Sequence, residues 1–169
     1  MAGSGRISLL VSDELATLVQ AIRGLDREVR AQNRKHTKQI ADPAWKEEVR
    51  GRVNTRIETR VLSDSARTAV SDSNIILKSG GVGKVSSGTL KSALNKGAEF
   101  GADPNKMTEY KSRAGNTFTR RAGRKFKLMR RNGYVVYPAA RAIIPRMASL
   151  WVQTTVRTIH EVFEKGGAR

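Results

Sequence analysis

No cysteine occurs among the 169 residues, which excludes a disulfide framework and any thiolate metal site, and suits a reducing cytoplasm. Aromatic residues are scarce, at 5%, so the core they can help build is modest. The N-terminus holds no apolar run long enough for a signal peptide or a membrane span, and the sequence predicts a soluble protein with no membrane partner. The two histidines, His36 and His160, each sit alone in a basic helical setting. No HExxH, CxxC, paired-carboxylate or nucleophile-elbow spacing occurs. Enzymes need acids, bases or nucleophiles that converge, and this chain predicts no catalytic residue, metal site or cofactor.

Acidic residues are missing from one long stretch. Thirty-two Lys and Arg stand against fifteen Asp and Glu, a net +17, and between Glu109 and Glu161 there is no acid at all. Twelve basic residues fall in that interval. Nine of them, Lys111, Arg113, Arg120, Arg121, Arg124, Lys125, Lys127, Arg130 and Arg131, form the candidate surface for a polyanion or an acidic protein partner. Tyr110, Phe118, Phe126 and Tyr134 are interleaved with them. One reading is therefore a basic nucleic-acid-binding module of nucleoid or ribosomal type, with phosphate contacts and stacking. No helix-turn-helix glycine pattern, zinc ligand set or RNA-binding aromatic signature accompanies it.

The most apolar part of the chain is 132–164. Asn132-Gly133 reads as a tight turn, Tyr134 to Tyr137 as a strand, and the period changes to a helix from about Pro145. Met147, Leu150, Trp151 and Thr154 share its apolar face, widened by Val152, Val156, Ile159 and Phe163. A first helix is expected from Ser12, with the stripe Leu15, Leu18, Val19, Ile22, Leu25 and Val29. Residues 32–39 read as a polar tether, and Asp42-Pro43 as the start of a second helix carrying Trp45, Val49, Val53, Ile57 and Val61. A strand is predicted at 73–78, a Gly/Ser loop at 79–88, a helical segment at 89–96 and an irregular stretch at 103–116. Two short strands at 118–122 and 125–129 complete the reading. The run Gly80-Gly81-Val82-Gly83-Lys84 fails as a phosphate loop, because Lys78 stands where the first glycine is needed and Val85 follows the lysine.

The order helix, strand, Gly-rich loop, Glu99-Phe100-Gly101-Ala102, basic insertion, Tyr137 to Met147 (YPAARAIIPRM) and closing helix resembles the neck and tail-completion (head–tail joining) proteins of long-tailed bacteriophages. The resemblance covers about residues 45–164. The chain departs from it in reading Ser-Asp-Ser where the family commonly has a Pro-x-x-Thr-Gly turn, and in its longer N-terminal helix. The resemblance implies an α+β fold: a small antiparallel sheet flanked by a long C-terminal helix and one or two N-terminal helices. Residues 1–40 would be an N-terminal helix and tether, and 41–169 one domain with mobile loops near 79–88 and 103–124. It also implies a ring, usually a hexamer, between the head connector and the tail tube. The expected partners are further copies of the chain, the connector or stopper protein, the tail terminator or tube protein, and phage DNA in the channel. The chain would be assembled in the host cytoplasm and reside in the virion at the head–tail junction. Trp45, Phe100, Tyr134, Tyr137, Trp151, Ile159 and Phe163 are the residues expected to pack the core or a subunit contact.

Overall fold

The structure, a computed structural model, describes residues 13–112, 114–121 and 123–167. The fold is α+β: the described residues form five α-helices and two separate two-stranded antiparallel sheets. The chain divides into two compact units. Among the described residues, the first comprises those up to Glu48, Arg67–Lys78 and those from Ala142 onward; the second comprises those of Val49–Ala66 and Ser79–Arg141.

In the first unit, α1 (Asp13–Arg23) buries Val19 and Ile22 from the predicted stripe. The stripe does not continue as one helix, since a break at 24–26 separates α1 from α2 (Arg27–Arg50). The expected tether at 32–39 lies inside α2, and so does Pro43. Asn33, Thr37, Ala41 and Trp45 recur at fours and are all buried, so the stripe that seats this helix begins polar. Asp42 caps no helix. Its carboxylate accepts the backbone N–H of Thr68 at 2.7 Å and the Thr68 hydroxyl at 3.1 Å, and pairs with Lys46 at 2.7 Å. Burial would raise the Asp42 carboxyl; the hydrogen bonds from Lys46 and Thr68 outweigh it and hold it below the usual range.

Thr68 belongs to the hairpin of β1 (Arg67–Val70) and β2 (Ile75–Lys78), in which Arg67 faces Lys78 and Val70 faces Ile75. The predicted strand at 73–78 is thus present, shortened by its turn. Ser71 closes that turn through Asn74, and Asp72 pairs with Arg30 and Arg34 of α2. Trp45 is fully buried, and its indole Nε1 donates to the Lys78 carbonyl at 3.1 Å. The long helix α5 (Val136–Gly167) supplies Ile143, Met147 and Trp151 to the same core. One turn further on the seam is polar. The Asn33 amide donates to Thr155 Oγ1 at 3.3 Å, and the Thr158 hydroxyl donates to Asn33 Oδ1 at 3.2 Å, all three residues being buried.

In the second unit, α3 (Arg56–Val61) opens on a capping box. Glu58 N–H donates to Thr55 Oγ1, and the Glu58 carboxylate accepts from the Thr55 backbone. The expected run Val53–Val61 is therefore not one helix with Trp45, because α2 stops at Arg50 and Thr55 restarts the chain. Residues 79–90 form an irregular loop with an isolated bridge between Lys84 and Leu90, followed by α4 (Lys91–Phe100). A second hairpin, β3 (Met107–Lys111) with β4 (Thr117–Arg121), occupies part of the stretch read as irregular. The strand predicted at 118–122 is present as β4. The strands predicted at 125–129 and 134–137 are not: Gly123–Lys125 is a short 3₁₀ turn, 127–130 has no regular structure, and α5 already begins at Val136.

Candidate functional site

The two sequence elements behind the phage resemblance meet in the second unit. α4 ends in Glu99 and Phe100, and Gly101 follows at φ +75°. Glu99 is buried, and its carboxylate receives the first amides of α5: Val135 at 3.3 Å, Val136 at 2.7 Å and Tyr137 at 2.9 Å. The next residue, Pro138, has no N–H, and Ala139 is the first to donate within the helix, to the Val135 carbonyl at 3.0 Å. All four amides that a helix start leaves without an internal partner are thus accounted for by one distant carboxylate and one proline. The Glu99 carbonyl also accepts from Tyr134 N–H at 2.8 Å, and the Phe100 and Tyr137 rings meet edge to face at 5.3 Å between centroids. Gly133 closes against the same carboxylate: a Cβ there would lie 2.1 Å from Glu99 Oε1. Burial raises the Glu99 carboxyl above its usual value, outweighing the three amides, and the charge of Glu58 adds to the rise.

The segment 126–131 is fixed against this junction without being a strand. Phe126 lies on Gly97, where a Cβ would approach its ring to 2.7 Å. The Lys127 carbonyl accepts from Ala102 N–H at 2.9 Å, the Leu128 carbonyl from the Tyr134 hydroxyl at 2.8 Å, and Arg130 N–H donates to the Phe100 carbonyl at 2.7 Å. Gly101 is required by its left-handed backbone and by space, since a Cβ would sit 2.1 Å from the Leu128 oxygen.

The basic residues divide. Lys111, Arg121, Lys125, Arg130 and Arg131 are exposed. Lys127 is turned inward, with its ammonium 2.6 Å from buried Glu58 and 4.8 Å from the centre of the Tyr134 ring, a ring that Arg130 also faces at 5.4 Å. It therefore leaves the candidate outer surface. Arg113 lies outside the described residues, as do the side chains of Arg120 and Arg124. The charge is concentrated here: the second unit carries eighteen Lys and Arg against five Asp and Glu, a net +13 of the chain's +17. Two of those five acids, Glu58 and Glu99, are buried, so the surface is more basic than the count.

Of the expected packing residues, Trp45 and Trp151 are buried, and Phe100, Tyr134 and Ile159 are half-buried. Tyr137 is partly exposed while its ring meets Phe100, and Phe163 is exposed. Comparison with known protein families, with curated proteins and with solved structures finds no match. Among the described residues, no group of three His, Cys, Asp or Glu could hold a metal ion, and no helix is long and apolar enough to cross a membrane.

Sequence reasoning missed Glu58 and gave Glu99 no role. Thr55-x-x-Glu58 was a legible capping-box signal. Burial would raise the Glu58 carboxyl; the hydrogen bond and charge of Lys127, with the amides of Asn54 and Thr55, outweigh it and hold it below the usual range. A lowered carboxyl stabilises the fold above its unfolded pKa, and that stability is lost as the pH falls through the folded one. Lys127→Met is expected to cost about 2 kcal/mol near neutrality, less than a fully buried pair because the lysine keeps some solvent. Urea unfolding should show the gap from the parent narrowing as the pH drops below the ordinary carboxylate range; a constant gap would mean packing rather than charge.

Proposed function

We propose that this chain is a structural protein of the bacteriophage neck, forming a ring that joins the head connector to the tail tube and lines the DNA channel. The observation that carries the reading is a pair of unlike exposed surfaces, one in each unit. In the second unit, Met107, Phe118, Leu128 and Met129 are exposed among Lys111, Arg121, Lys125, Arg130 and Arg131. In the first, Val156 and Phe163 are exposed on the far part of α5, beside Glu161 and Glu164. A subunit of a closed ring needs two different patches, one for each neighbour. A monomer gains nothing from leaving both apolar. The convergence of Glu99-Phe100-Gly101 with Tyr137-Pro138 supports it further, since the motif elements of the resemblance form one junction.

The charge of the second unit favours DNA, or an acidic neighbouring ring protein, as what its surface faces. The same charge supports the second reading, a basic nucleic-acid-binding module. Gold-labelled antibody against the chain on intact particles separates the two. Label confined to the head–tail junction is expected. Particles without label, together with tight duplex binding by a monomer that weakens steeply with salt, would replace the neck reading with the second one.

A further inference from the structure

We propose that the 128–131 loop of one copy seats on the outer face of α5 of another copy, so that copies join head to tail. This rests on the ring reading above and names the surfaces that would make the contact.

The loop is built to present its side chains. Leu128 and Met129 are 70% and 74% exposed, although the backbone beneath them is tied at Lys127, Leu128 and Arg130 to Ala102, Tyr134 and Phe100. The fixed backbone has little ordering entropy left to lose on binding, so the cost falls on the two side chains. Methionine adapts its shape to whatever hollow receives it. Arg130 and Arg131 follow directly and are exposed. The loop thus offers an apolar centre with a basic rim.

The receiving face is apolar at its floor and carries both signs of charge at its border, Arg157 and His160 beside Glu161 and Glu164. Val152 and Val156 floor a shallow hollow of about 540 Å³ on α5, bordered by Glu161 and Glu164. Phe163 stands further along the same helix, 73% exposed. A second hollow, between α2 and α5, shares Gln153, Arg157 and Glu161 with the first and reaches exposed Ile40. Glu161 pairs with Arg157, and Glu164 with His160, in i,i+4 surface pairs that exchange readily with an incoming guanidinium. Apolar centre meets apolar floor, and two arginines meet two carboxylates. The two surfaces are unlike, so the contact can repeat from copy to copy into a ring or a chain; two copies that exchanged it reciprocally would stop at a two-fold dimer, and the product of a double-cysteine chain separates the two.

The absence of cysteine makes the test clean. Met129→Cys and Val156→Cys are made singly and together in the full chain; both sites are exposed, so neither disturbs the core. On mild oxidation, the mixed single-cysteine chains should give a disulfide-linked heterodimer as the main product, and the double-cysteine chain a ladder of oligomers. Homodimers in equal yield, no cross-link at all, or a cross-link that forms only with added DNA would overturn the proposal. As a second arm, Arg130→Glu with Arg131→Glu should weaken self-association measured by sedimentation about tenfold, and adding Glu161→Lys with Glu164→Lys should restore it. Weakening without restoration would also overturn it. Gold label at the head–tail junction without the cross-link would leave the ring reading standing and remove this contact; a ladder without junction label would do the reverse.

Discussion

Glu99→Ala is expected to lower stability by about 4 kcal/mol, because it strips the acceptor from three backbone amides at once. The substitution leaves Val135, Val136 and Tyr137 N–H without partners at the part-buried start of α5 and opens a void where the buried side chain lay. For a chain of this length that corresponds to a fall in melting temperature of roughly 10 °C. Glu99→Gln should cost about half as much, since one of its two heads is a donor facing donors. The pH dependence separates charge from shape. Burial raises the Glu99 carboxyl, so its contribution falls as the pH rises from the unfolded pKa through the raised folded one, the opposite sense to Glu58. Glu99→Gln removes that slope. Hydrogen exchange at Val136 and Tyr137 is the direct readout: protection retained in Glu99→Ala would show that another group caps the helix.

Trp45→Ala is expected to cost a similar amount, about 4 kcal/mol, by leaving a cavity at the centre of the first unit. Trp45 is fully buried, and its indole N–H holds the end of β2 through the Lys78 carbonyl. Trp45→Phe keeps much of the volume and loses the hydrogen bond, so about 1.5 kcal/mol is expected. The chain has two tryptophans, and Trp151 is buried in the same unit. Selectively excited tryptophan fluorescence therefore follows the first unit alone, since all three tyrosines lie in the second. Urea midpoints read by fluorescence should move strongly for Trp45→Phe and weakly for Glu99→Ala if the two units unfold separately, and together if they unfold as one. An unchanged midpoint in Trp45→Phe would mean that the Lys78 bond contributes nothing.

What was legible in the sequence had local causes. Val19 and Ile22 at helical spacing, Ile75 to Lys78 as a strand, Phe118 in β4, and the two buried tryptophans follow from period and composition alone. What was not legible had distant partners. Asp42-Pro43 has the chemistry of a helix start, but the Asp42 carboxylate is taken by Thr68, twenty-six residues away, and the helix runs through. Asn33 and Thr37 look like a solvated tether because the groups that Asn33 bonds, Thr155 and Thr158, lie more than a hundred residues along the chain. Tyr134 to Tyr137 has strand composition, and only Glu99 makes its amides a helix start. At the candidate site, the basic stretch was visible as composition. The inward turn of Lys127 was not, since nothing local marks Glu58 as its partner.

The cap on α5 also ties together parts of the chain that are distant in sequence. Glu99 precedes the amides it receives by thirty-six to thirty-eight residues, so the first turn of the helix is secured only where that loop is closed. Pro145 removes one rung further along, and Pro138 removes a donor at the start. The later turns are seated instead by their apolar face, through Ile143, Met147 and Trp151. One helix thus has two anchors of different kinds, a borrowed carboxylate at its start and buried side chains beyond it.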